Sequence, residues 1–186
     1  AIHAIRRTRL GPNDTAVIVG SGGIGQILVQ ILRASGVNIV ATSRTQGKLE
    51  TAKKLGADLA LQPDHPDTLK QIKEFAGGDG VQCVFDCVGT STTMKASAEY
   101  VMRGGQIVVI GEEPEFPEID TIQIAQRELE IIGTRNGSRQ DIDDVIGMLA
   151  AGIINPPIAK TFPLEEVNQA LDLMRIGGVN GRIVIT

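Results

Sequence analysis

No apolar run in this 186-residue chain reaches the roughly 18 to 20 residues that a membrane-spanning helix needs. The N-terminus also lacks the charged-then-apolar order of a secretory signal, so a cytoplasmic home is expected. An excess of positive charge is missing too. Lys and Arg number 18 against 22 Asp and Glu, a formal net charge of −4, which argues against a general nucleic-acid or anionic-membrane surface while leaving room for one local basic site. Cysteine is scarce: Cys83 and Cys87 fall in one expected strand, on one face and about 13 Å apart when extended, too far for a disulfide. They are expected as buried free thiols. The two histidines, His3 and His65, stand with no second ligand type at a metal-binding spacing. Neither repeats of solenoid period nor low-complexity segments occur. What is there, 42% apolar and 22% charged residues, describes a globular unit with one well-buried core, or such a unit with an appendage.

Residues 15 to 44 carry the most informative pattern. Thr15 to Val19 reads as a buried strand, about Ile24 to Ala34 as a helix stopped at Gly36, and Val37 to Thr42 as a second strand, together one βαβ unit. Between strand and helix lies Gly20-Ser21-Gly22-Gly23-Ile24-Gly25. A lone GxGxxG is weak, and its weight here comes from directly following a strand and opening a helix. Gly20 lets the chain turn sharply, Gly22 leaves space for a pyrophosphate, and Gly25 lets the helix pack closely on the strand. Bare N–H groups and the positive end of the helix dipole then face the phosphates. The expected ligand is a nicotinamide dinucleotide.

Its type follows from the end of the second strand. NAD sites usually carry an Asp or Glu there for the ribose 2′-hydroxyl. Here Thr42, Ser43 and Arg44 occupy the region and no carboxylate comes before Glu50. A carboxylate would repel a 2′-phosphate, whereas Ser43 can donate to it and Arg44 can pair with it, so NADP is expected over NAD.

The remaining chain alternates strand and helix. Residues 1 to 10 read as a basic amphipathic helix ended by Gly11-Pro12, and Ala1 falls inside that pattern without an initiator Met, as expected of an excised or processed piece. A helix over Gln46 to Leu55, a strand over Ala57 to Leu61, a helix capped by Asp67 and a strand over Val81 to Val88 follow. Next come a helix over Ser91 to Met102 stopped by Gly104-Gly105, a strand over Gln106 to Ile110, a short helix over Thr121 to Arg127 and a sixth strand over Glu128 to Ile132. This order implies an α/β fold with a doubly wound parallel sheet. Beyond Asp141 the pattern is less regular, with helices over Asp141 to Ala151 and Leu164 to Met174 and strands over Ile158 to Phe162 and Arg182 to Ile185.

Taken in order, Gly20 to Gly25, Lys48-Leu-Glu-Thr-Ala-Lys-Lys-Leu-Gly-Ala-Asp58, Phe85-Asp-Cys-Val-Gly89, Arg103 to Gly111, Ile132 to Arg139 and Gly181-Arg182 resemble the cofactor-binding half of the zinc-type medium-chain dehydrogenase/reductase family, which contains the alcohol, polyol and threonine dehydrogenases. The resemblance covers essentially the whole chain. It implies a Rossmann-type six-stranded parallel sheet over residues 1–140 and, over 141–186, a helix–strand–helix–strand tail returning toward an N-terminal catalytic domain. It also implies that Lys48 reaches the adenosine ribose. Cys87, Val88, Gly89, Ile110 and Gly111 would border the nicotinamide riboside, Thr134 and Asn136 would offer backbone groups to the carboxamide, and Arg182 would contact the pyrophosphate. The rule that ligands sit beyond the carboxyl ends of parallel strands independently favours the positions after the fourth and fifth strands.

Family members hold a catalytic zinc with Cys, His and Glu residues of that N-terminal domain, and nothing stands in their place here. Two functions are therefore open. One is the NADP-holding part of an enzyme that moves a hydride between nicotinamide and a small alcohol or carbonyl compound, the chain alone being catalytically silent. The other is a non-catalytic NADP-binding sensor module. The zinc-free quinone or enoyl reductase branch shares the fold, but the Phe85 to Gly89 and Asn136 to Arg139 segments look more like the zinc-dependent branch. Two further expectations concern assembly. Apolar faces of the tail should lie exposed, self-associated or poorly ordered, and a homodimer should form through the edge of the sixth strand.

Overall fold

Strand β1 (Thr15–Val19) is buried at all five positions, because the computed structural model, which describes residues 1–186, places it in the middle of a six-stranded sheet. β1 is flanked by β2 (Asn38–Thr42) and β4 (Val81–Asp86), with β3 (Leu59–Leu61), β5 (Val101–Val109) and β6 (Glu130–Gly133) outside them, in the order β3-β2-β1-β4-β5-β6. All pairings are parallel. Side chains alternate across the sheet. Ala16 and Ile18 of β1 join one core with Leu28, Val29 and Leu32 of α2 (Gly23–Ala34) and Ala52 of α3 (Gln46–Lys54). Val17 and Val19 join a second core on the opposite face with Ile72 of α4 (Thr68–Phe75) and Met94 of α5 (Ser91–Tyr100). Burial on both faces is why the central strands read as continuous apolar runs.

Several boundaries differ from the sequence reading. The first helix, α1, covers only Ile2–Arg6. β4 stops at Asp86, so Cys87 and Val88 belong to the turn that follows it. Asp67 occupies the cap position of α4 without a side-chain capping bond. Helix α5 ends at Tyr100, and β5 begins at once, because Val101 pairs with Val81 before the register shifts and Gln106 pairs with Cys83. Gly104, at φ +70°, serves this bulge and not a helix stop. Glu128 caps α6 (Thr121–Arg127) in the left-handed region at φ 54°, a conformation no strand residue adopts, so β6 starts two residues later.

The tail contains α7 (Arg139–Ala150), β7 (Ile158–Phe162), a 3₁₀ turn leading into α8 (Val167–Ile176), and β8 (Arg182–Ile185). β7 and β8 form a separate two-stranded parallel sheet. Ile154 packs with Ile2 and Ile31, and the backbone N–H of Asn155 donates to Gln30 Oε1 at 2.6 Å. Ile142, Ile146, Leu149, Leu171 and Met174 stand exposed. β6 lies at the sheet edge with one side unpaired. No helix is long and apolar enough to cross a membrane.

Asp141 locks the tail to the N-terminal helix. Its carboxylate accepts from the Ser138 N–H at 2.6 Å and the Ser138 hydroxyl at 2.8 Å, from Arg6, and lies 3.1 Å from His3 Nδ1. The Ser138 backbone N–H first, then its hydroxyl and Arg6, hold this carboxyl well below the usual carboxylate range. A group whose pKa is lowered by folding contributes stability above its unfolded value, about pH 4, and loses that contribution as pH falls further. Wild type should therefore lose melting temperature more steeply than Asp141→Asn between about pH 4 and pH 2.5. Parallel acid limbs in thermal scans would show that the Asp141 cluster contributes nothing.

Candidate functional site

The order in which strands are added to the sheet reverses between β1 and β4, which opens a crevice at their carboxyl ends. Gly20 turns into it at φ +90°. The N–H groups of Gly20 and Ser21 both donate to the Thr42 carbonyl, at 3.1 and 3.2 Å, as does the Ser21 hydroxyl at 3.1 Å. The turn after β1 is thus tied to the end of β2. A Cβ added to Gly25 would lie 2.3 Å from the Gly20 carbonyl oxygen, so α2 crosses the strand as closely as backbone permits. At Gly22 the opposite holds, since nothing stands within 4 Å of an added Cβ. Gly22 caps α2 without any side-chain bond, no acidic residue occupies the first turn, and the amides of Gly22, Gly23 and Ile24 donate to no protein group. Such a helix start leaves N–H donors free to receive an anion.

Over this turn lies Arg182 from β8. A Cβ on Gly23 would stand 2.8 Å from its Nε and 2.9 Å from its Cζ. Arg182 makes no ion pair within the chain. Two residues upstream, Asn180 fixes the approach of β8. It accepts from Gln26 Nε2 at 2.6 Å and donates to the Gly47 carbonyl at 3.1 Å and to Thr51 Oγ1 at 2.8 Å. Gln26 itself is fully buried on α2.

The remaining predicted residues fall on both sides of the turn. Arg44 is exposed and unpaired, and half-buried Lys48 lies in the first turn of α3. Ser43 is largely buried, its hydroxyl accepting the Thr45 N–H at 3.2 Å. Ser21 and Thr42 have side chains with about 1% exposure, so they brace the turn from inside and do not face the crevice. On the other side, the Cys87 N–H donates to Val19 at 2.9 Å, those of Ile110 and Gly111 to the Asp86 carbonyl at 2.8 and 3.1 Å, and that of Thr134 to Val109 at 3.1 Å. Val88 packs against Gly20. The turns after β1, β4, β5 and β6 are thereby linked side by side. Asn136 is exposed at φ 56° and makes no hydrogen bond.

The half-buried Cys87 thiol is pushed up to about 12 by burial and then by neighbouring Asp86. Its surroundings thus disfavour the thiolate that a nucleophilic cysteine needs. No three His, Cys, Asp or Glu side chains converge as a metal site. A cavity of about 650 Å³ between α5, residues 112–120 and α6 shares no residue with the crevice.

Sequence reasoning missed Gln26, Asp86 and Asn180 as parts of this site. A signal existed for the first two: each is a polar residue within a mainly apolar buried run. Asn180 had none.

Residues 23–151 match the family model described as zinc-binding dehydrogenase. Over 182 residues the chain is 34% identical to an alcohol dehydrogenase of Geobacillus stearothermophilus, a match covering 98% of this chain and 53% of that protein. Over 185 residues it is 29% identical to an NAD-dependent alcohol dehydrogenase of Sulfurisphaera tokodaii, with the same coverage of 98% and 53%. The crystal structure of an alcohol dehydrogenase from the archaeon Aeropyrum pernix superposes with a TM-score of 0.89 at 27% identity, covering 98% of this chain and 53% of that one. The chain spans about half the length of the curated relatives it matches.

Proposed function

The chain belongs to the zinc-binding dehydrogenase family, and from that premise we propose that it is the NADP-holding part of a longer oxidoreductase acting on a small alcohol or carbonyl compound. The observation that carries this reading is the bare start of α2, open at Gly22 and overhung by Arg182. Amides of Gly22, Gly23 and Ile24 with the Arg182 guanidinium would hold the pyrophosphate. On the β2 side, Ser43, Arg44 and Lys48 would hold the phosphorylated adenosine ribose. On the β4–β5 side, Cys87, Val88, Gly89, Ile110 and Gly111 would border the nicotinamide riboside, with backbone groups of Thr134 and Asn136 at its carboxamide.

When bound, the nicotinamide supplies or accepts the hydride. This chain's residues bind and orient it, and none is assigned as acid, base or metal ligand. Zinc, in this reading, is held by residues outside the chain. The exposed apolar residues of segment 141–186 would pack on that part of the protein. Isothermal titration tests the reading: saturable binding of NADPH is expected, tighter than NADH, and no binding of either would end it. Turnover of common alcohols with NADP by the chain alone would remove its non-catalytic role.

The preference for NADP rests on Arg44 and on the absence of a carboxylate from Thr42 to Leu49, against three relatives described as NAD-dependent. The same reading pairs two copies through the unpaired edge of β6, where Ile131 is 38% exposed. Light scattering that returned a monomer at high concentration would contradict the pairing.

A further inference from the structure

Asp86 ends β4 fully buried, and its two carboxylate oxygens are treated unequally. Oδ1 accepts the N–H of Val88 and the N–H of Gly89, both at 2.9 Å. Oδ2 is buried with no partner. The Asp86 carbonyl meanwhile accepts from Ile110 and Gly111. One residue therefore fastens the turns after both β4 and β5. Packing between those turns has no slack: an added Cβ would lie 2.1 Å from the Val88 carbonyl at Gly111 and 2.5 Å from the Gly111 oxygen at Gly89.

A buried oxygen left unpartnered costs stability, and a tie serving only the fold gains nothing from it. A dinucleotide lies across the crevice, one half on each side of the β1–β4 switch point. With Ser43 and Arg44 after β2, the turns after β4 and β5 face the half that carries the nicotinamide.

We propose that Asp86 is a positioning residue for the nicotinamide half of the cofactor, acting through the Val88 and Gly89 amides and the Ile110–Gly111 turn. The proposal rests on the cofactor reading above. It does not depend on which dinucleotide is preferred.

The test compares ligands with and without nicotinamide: NADPH against 2′-phospho-ADP-ribose, and NADH against ADP-ribose, titrated into wild type, Asp86→Asn and Asp86→Ala. Asn keeps an oxygen for the two amides but loses the charge that strengthens the bonds. Asp86→Ala should weaken the dinucleotide about tenfold, Asp86→Asn about threefold, and neither should change binding of the nicotinamide-free fragment by more than about twofold. Equal losses for dinucleotide and fragment, or no loss for either, overturn the role. If the Ala variant fails to fold, the Asn variant decides by the same comparison. Wild type that binds no fragment overturns the cofactor reading itself. Wild type that binds all four ligands, with variants that keep its ratios, overturns only the role of Asp86.

Discussion

Gly25→Ala is expected to destabilise the fold by about 3 kcal/mol, at the upper end of the usual cost of overpacking. For a chain of this size that is a loss of about 6 to 12 °C in melting temperature. The added methyl would sit 2.3 Å from the Gly20 carbonyl oxygen, 3.2 Å from its carbon and 3.2 Å from Ile18 Cγ2. Two of these neighbours are backbone, held by the Gly20 bond to Thr42, and cannot rotate away. Relief requires α2 to lift from β1, which opens the core shared by Ile18, Leu28 and Leu32. Gly22→Ala provides the contrast. Its φ of −83° suits any residue and nothing lies within 4 Å, so its melting temperature should stay near wild type while the methyl obstructs the approach to the bare amides. Thermal unfolding with parallel NADPH titration separates the two effects. A Gly25→Ala protein that melts with wild type would mean that the close crossing of α2 over β1 is absent in solution.

That contrast also marks what could be read from residues alone. The roles of Gly20, Gly22 and Gly25 were legible because each answers to local geometry: a turn, an open approach and a close crossing within six residues. The parallel sheet was legible because strands covered on both faces leave continuous apolar runs, as in Val81 to Asp86. Long-range partners were not. Thr42 and Ser21 looked like ligand contacts by position, and only the folded chain shows the Thr42 carbonyl collecting three donors from the turn beside it. Gly104 could serve a helix stop or a strand bulge, since either needs the same backbone freedom. Asn180 reaches α2 and α3 from the far end of the chain, a contact that no local periodicity encodes. Arg182 was placed by resemblance, and the fold supplies the physical reason: β8 is steered to the glycine turn by Asn180.

Arg44→Ala should weaken NADPH by about one to two orders of magnitude and leave NADH nearly unchanged, since a charge-assisted hydrogen bond contributes about 1.5 to 3 kcal/mol and each 1.4 kcal/mol is tenfold. Three features of the folded chain favour so local an effect. Arg44 is exposed and forms no ion pair within the chain, so no internal carboxylate competes for its guanidinium and its removal leaves no buried charge unpaired. Ser43 is largely buried, with its oxygen engaged by Thr45, so only its hydroxyl proton is free to donate and most of the 2′-phosphate contact falls to Arg44. Arg182 lies instead over Gly23, at the proposed site of the pyrophosphate that both dinucleotides share, so Arg182→Ala should weaken NADPH and NADH alike. Increasing salt should erode the NADPH preference of wild type and have little left to erode in Arg44→Ala, because an exposed charge pair is screened. Titrations of both coenzymes at two salt concentrations measure this directly. Equal losses for NADPH and NADH in Arg44→Ala would show that Arg44 does not read the 2′-phosphate, and the choice of NADP would fall while the pyrophosphate site stood.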